Sequence, residues 1–88
     1  MKLYLFAVYD KIACVFFKPF TEINHASAMR VFDQSIKDKE NMEDYDLYVL
    51  AEFDDNNGQV DPTKVESIRK GLDVKSHHAT VTREELVK

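Results

Sequence analysis

Apolar residues fall in two short dense runs at the start of the chain, 2–9 and 12–20, parted by the polar pair Asp10-Lys11. Both runs are rich in β-branched and aromatic residues and too short for good helices, so they predict a β-hairpin. Asp-Lys is not a preferred pair for a tight primed turn, so the strand pairing is better specified than the turn itself. Pro19 lacks an N–H and marks the end of the second strand or an edge position. From Thr21 the period changes: Ala28, Met29, Phe32 and Ile36 recur at three- and four-residue spacing behind Asn24, a capping residue, which predicts a helix over about 25–37. Its polar side carries Arg30, Asp33, Gln34 and Lys37, with Asp33 and Lys37 spaced to pair along the helix.

An acidic polar stretch, 39–46, precedes a third strand over 47–53. The run Asp54-Asp55-Asn56-Asn57-Gly58 suits a turn, because Asn and Gly tolerate positive φ. A fourth strand is either Gln59-Val60 alone or resumes at 65–68 beyond Pro62; residues 65–69 suit equally a helical turn closed at Gly71. Thr82-Arg83-Glu84-Glu85 has the form of a capping box and predicts a short carboxy-terminal helix. The expected class is α+β, a small antiparallel sheet with one main helix on one face, in the order β-β-α-β-β. Eighty-eight residues make one domain, with its core in residues 1–60 and a tail over 72–88.

The chain has 12 basic and 16 acidic residues, a formal charge of −4. That excludes a strongly basic DNA-coating protein. Charge is uneven: residues 1–37 sum to +2, 38–61 to −8 and 62–88 to +2. Glu40, Glu43, Asp44, Asp46, Glu52, Asp54 and Asp55 therefore predict an acidic surface. Cys14 is the single cysteine, so no intrachain disulfide forms and a reducing compartment is expected. No run approaches the roughly 20 apolar residues that span a bilayer, and the amino terminus does not read as a signal peptide, so no membrane association is expected.

Little in the chain offers catalysis. With Gly58 in the sixth position of a calcium loop, Phe53 stands first, where a carboxylate is needed, and Lys64 twelfth in place of Glu. His77-His78, even with His25, lacks the spacing of a metal site. Cys14 inside an apolar strand reads as a small core residue and not as a nucleophile. Two glycines cannot build a phosphate-cradling loop. No enzyme activity, catalytic residue, metal or cofactor is expected.

The informative feature is a sheet apolar on both parities: Leu3, Leu5, Ala7 and Tyr9 on one face, Tyr4, Phe6 and Val8 on the other. A sheet with one solvated face would alternate. One helix covers one face, leaving the second for the tail, another subunit or a ligand. Because Lys2 and Lys18 share parity with Tyr4, Phe6 and Phe16, and Glu52 with Tyr48, these residues are assigned to the outer face. There the face joins a second copy or another protein; alternatively, Tyr4, Phe6, Phe16 and Tyr48 stack bases of single-stranded DNA while Lys2, Lys18 and Arg30 meet phosphates.

The opening Met-Lys-Leu-Tyr, then Pro19-Phe20 with Asn24-His25-Ala26-Ser27-Ala28-Met29-Arg30, and the block from Asp44 to Asp55 with Asn57-Gly58 resemble the small non-structural protein of gokushovirus-type microviruses, bacteriophages with single-stranded circular DNA. The likeness covers roughly residues 1–60. It implies a protein made in the host bacterial cytoplasm, absent from the capsid, and acting in single-stranded genome synthesis or packaging, by analogy as a DNA-binding protein. It brings no catalytic residues. The acidic charge favours a role through viral replication or packaging proteins, as a homodimer, over direct DNA binding.

Overall fold

The computed structural model of the chain describes residues 1–76. In order come β1 (Lys2–Asp10), β2 (Val15–Phe16), β3 (Phe20–Glu22), α1 (His25–Ile36), a 3-10 turn (Met42–Asp44), β4 (Tyr45–Asp54) and β5 (Val60–Lys70), then helical residues 71–76. All pairings are antiparallel; β1 and β4 are central, β5 is one edge, and β2 and β3 share the other along β1. The class is α+β, as the patterning predicts, with the second strand broken in two.

Both interruptions have local causes. Asp10 Oδ1 accepts hydrogen bonds from the Ile12 and Ala13 amides at 3.0 and 3.1 Å, which holds residues 11–14 as a turn. Cys14 lies in that turn, exposed and with φ 58°. Its expected place inside an apolar strand is therefore corrected: the Asp10 side chain captures the amides that strand pairing would have used. The Phe17 amide still reaches the Val8 carbonyl at 2.8 Å, but Pro19 donates nothing, and pairing resumes with Phe20 opposite Phe6.

Asn24 caps α1, its Oδ1 accepting from the Ser27 amide at 2.8 Å. The helix lays Ala28, Phe32 and Ile36 onto one sheet face, against Phe6, Leu47, Val49, Tyr45, Met42 and Val74. Phe6, Phe32, Ile36 and Leu47 are the largest fully buried side chains; burial of each stabilises the fold by about 1.5–3 kcal/mol. Asp33 does not pair along its helix. It takes Arg69 of β5 in a two-point ion pair, Nε to Oδ1 at 2.6 Å and Nη2 to Oδ2 at 3.0 Å, which ties the helix to the sheet edge.

The fourth strand is longer than either sequence alternative. Pro62 sits on an edge strand, where a missing N–H costs least, and a register shift between its partner Ala51 and Val49 absorbs residues 63–65. Gly71 opens the last helical segment instead of closing an earlier one. A Cβ there would collide with the carbonyl oxygens of Met42 and Tyr45, so only glycine lets the chain pass. Residues through Val74 belong to the core; the helix expected from Thr82 and the pair His77-His78 lie outside the described residues. Among the described residues no helix is long and apolar enough to cross a membrane.

Candidate interaction surface

Strand register divides the sheet into two faces. The helix covers the one carrying Tyr4, Phe6, Val8, Leu47 and Val49. On the other lie cross-strand pairs Leu3–Phe53, Leu5–Ala51, Ala7–Tyr48 and Tyr9–Asp46, flanked by Phe16 beside Tyr9 and by Val60, Pro62, Ser67 and Lys70 on β5. No described helix packs there. Tyr9, Phe16 and Tyr48 form an aromatic trio on it, with ring centroids 4.6, 5.8 and 5.4 Å apart. Burial between its neighbours and then a hydrogen bond with Cys14 raise the Tyr9 phenol above its ordinary pKa, so this face presents a neutral hydroxyl at any physiological pH.

The expected outer face is thus redistributed. Phe6 is fully buried beneath the helix, and Tyr4 packs on the same core and on His25 at 5.2 Å. Phe16 and Tyr48 do lie on the open side. Lys2 sits on the helix side through its pairing with Asp54 and reaches Glu52 at 3.8 Å; Lys18 stands exposed in the strand break, and Arg30 is exposed on α1. In β1 the alternation is unbroken and sets Lys2, Tyr4 and Phe6 together on the helix side; in β4 a bulge at Leu50 intervenes. Phe6 pairs with Val49 but Leu5 with Ala51, and one extra residue reverses which parity faces the helix. Tyr48 and Glu52, alike in number parity, therefore lie on opposite faces. Leu3, Leu5 and Tyr9 belong to the open face, and their parity in β1 was the available signal; Phe53 of β4 joins them as the partner of Leu3.

The acidic surface is also divided. Glu40, Glu43 and Asp44 gather at one end of β4, and Glu52, Asp54 and Asp55 at the other, ten residues and about 30 Å apart. Asp46 is not on the surface: it is 6% exposed, with Lys11 Nζ 3.5 Å from its Oδ1, close enough for attraction but not aligned as a hydrogen bond. Several of the others already have partners, Glu43 with Lys75 at 3.2 Å and Asp55 with the terminal amine at 2.8 Å. Hydrogen bonding from its own backbone, then from Lys75, holds Glu43 below the usual carboxylate range.

On the helix side a cleft of about 300 Å³ opens between α1 and the strand break, lined by Val8, Phe17, Phe20, Val31, Phe32 and Ile36, with Ser35, Lys39 and Tyr45. Its lining holds no carboxylate, histidine or thiol for acid–base or nucleophilic chemistry. Among the described residues no cluster of three His, Cys, Asp or Glu could hold a metal ion.

A family model described as Phage ORF5 protein matches residues 3–74 of the chain. No curated protein and no solved structure matches it.

Proposed function

We propose that this chain, which belongs to the Phage ORF5 protein family, is a non-enzymatic accessory protein that works by protein–protein association across its open sheet face. Its setting is the replication or packaging of a single-stranded DNA genome in the cytoplasm of a bacterium infected by a gokushovirus-type microvirus. The observation that supports this reading is the apolar face itself: half-buried Leu3, Leu5, Tyr9, Tyr48 and Phe53 with exposed Phe16, on adjoining strands around the buried Ala7 and Ala51. Contiguous apolar surface beyond a few hundred Å² is rare on a protein that binds nothing.

A phage carrying Phe16→Glu tests it. Phe16 is 42% exposed, so the exchange should spare the fold while placing a charge on the face. Progeny yield and packaged single-stranded genome should fall together; wild-type amounts of both would refute the reading.

The aromatic trio supports a second reading, stacking of bases from single-stranded DNA. The cations expected to accompany it, Lys2, Lys18 and Arg30, do not gather on that face, which weakens it. Titration of labelled oligonucleotide at two salt concentrations decides: phosphate contacts must weaken as salt rises, and no binding at low salt removes the reading.

A further inference from the structure

We propose that the cleft between α1 and the strand break is a binding site for a small apolar carboxylate, an acyl chain of about ten carbons whose anionic end meets Lys39. The site lies on the opposite side of the sheet from the association face and goes beyond that reading.

Volume sets the size of the guest. The cleft holds about 300 Å³, about twice the 150 Å³ that accommodates one benzene molecule. Sites for small molecules begin at about that size and are lined mostly by apolar and aromatic side chains with a few placed polar groups. Phe32 and Ile36 of the lining are buried in the core, whereas Phe17 and Val31 are 44% and 40% exposed. The cleft therefore runs from the core to the surface, and a chain can enter it without displacing the core.

Charge sets the chemistry of the guest. Lys39 is the only charged residue in the lining. Its Nζ stands 5.4 Å from the centroid of the Tyr45 ring, another lining residue, and forms no ion pair among the described residues. Asp38 and Glu40 flank it in the chain, but neither lines the cleft nor pairs with it. The Ser35 hydroxyl donates to the Phe32 carbonyl at 2.7 Å, so the Lys39 ammonium is the group left to select a charge. Electrostatic complementarity favours an anion on an apolar body over an amine or a neutral chain. The apolar wall contributes the affinity through burial, and the exposed ammonium adds selectivity of modest size.

Decanoate is the probe, with 1-decanol and decyltrimethylammonium as neutral and cationic arms, each titrated below its solubility or micelle limit into the full chain with its methyl groups labelled for NMR. The Val8, Val31 and Ile36 methyl signals should shift together and saturably, while those of Leu3 and Leu5 on the open face stay in place. Decanoate should bind about threefold more tightly than decanol, as an exposed ion pair provides, and the cationic arm more weakly than either. Lys39→Met should make decanoate and decanol equal. Val31→Trp, which adds bulk at an exposed position of the lining, should abolish decanoate binding with far-UV circular dichroism unchanged. Absence of a saturable shift, an equal response of the open face, or a cationic arm that binds as tightly as decanoate overturns the proposal. So do shifts of the same methyls as the unliganded chain is concentrated, which make a second copy the occupant, and nuclear Overhauser contacts of Leu86 or Val87 with Val31, which make the chain's own end the occupant. The Phe16→Glu phage reports on the other face, so failure here and failure of the association reading are distinguishable.

Discussion

Gly71→Ala isolates the junction on which the last helical segment depends. The added Cβ would meet the Met42 and Tyr45 carbonyl oxygens and lie 2.8 Å from the Met42 carbonyl carbon. These are backbone atoms held by the 3-10 turn and the first residue of β4, not ends of flexible side chains. Overpacking costs about 1–3 kcal/mol, and immobile neighbours place this site at the upper end, about 3 kcal/mol. Alanine returns at most about 1 kcal/mol through helix propensity, leaving a net loss of about 2 kcal/mol. For a domain of this size each kcal/mol shifts Tm by about 4–8 °C, so melting followed by far-UV circular dichroism should fall by about 8–16 °C. Gly58→Asn is the control: Gly58 has φ 75° with open space around it, and asparagine accepts that conformation at little cost. A Gly71→Ala chain melting within about 2 °C of the parent would refute the close approach.

Asp33→Ala removes the two-point clasp on Arg69. Its bonds are short, but Asp33 is 36% and Arg69 26% exposed, so the loss is expected near 1 kcal/mol, and a double-mutant cycle with Arg69→Ala should show the two effects far from additive. Glu43, whose folded pKa is lowered, lends stability that is present above its ordinary value of about 4.3 and lost as pH falls through its folded value. Glu43→Gln should therefore melt earlier than the parent at pH 7 and with it at pH 2; a gap that persists at pH 2 would contradict the linkage. Phe32→Ala, at a fully buried site on the helix, should cost about 3–5 kcal/mol and leave the chain largely unfolded by the same spectroscopic criterion.

Where the backbone follows local rules, the sequence was legible. Asn24 and the spacing of Ala28, Phe32 and Ile36 define α1 almost to the residue, and β4 begins two residues before its expected start. The misreadings trace to single interruptions of a period. Asp10 folds back on two amides and turns the start of the second strand into a loop, which carries Cys14 to the surface. Pro62 argued against one long strand, yet an edge with a register shift accommodates it. A second apolar face needing cover by the tail, another subunit or a ligand was expected, because both parities of β1 are apolar, but its members were chosen by the lysines nearby. Parity identifies a face only while the pairing is unbroken, and the extra residue at Leu50 breaks it. No residue-level pattern announces that bulge; it emerges from fitting Phe6 and Val49 together under the helix while Leu5 and Ala51 stay paired beyond it.

Side-chain footprinting by hydroxyl radicals across a concentration series tests the role of the open face most directly. Leu3, Tyr9, Phe16, Tyr48 and Phe53 should become protected together as concentration rises through the association range, while Phe17 and Val31 at the helix-side cleft should label equally throughout. Full labelling of the five at every concentration, or protection that does not depend on concentration, would contradict association across that face.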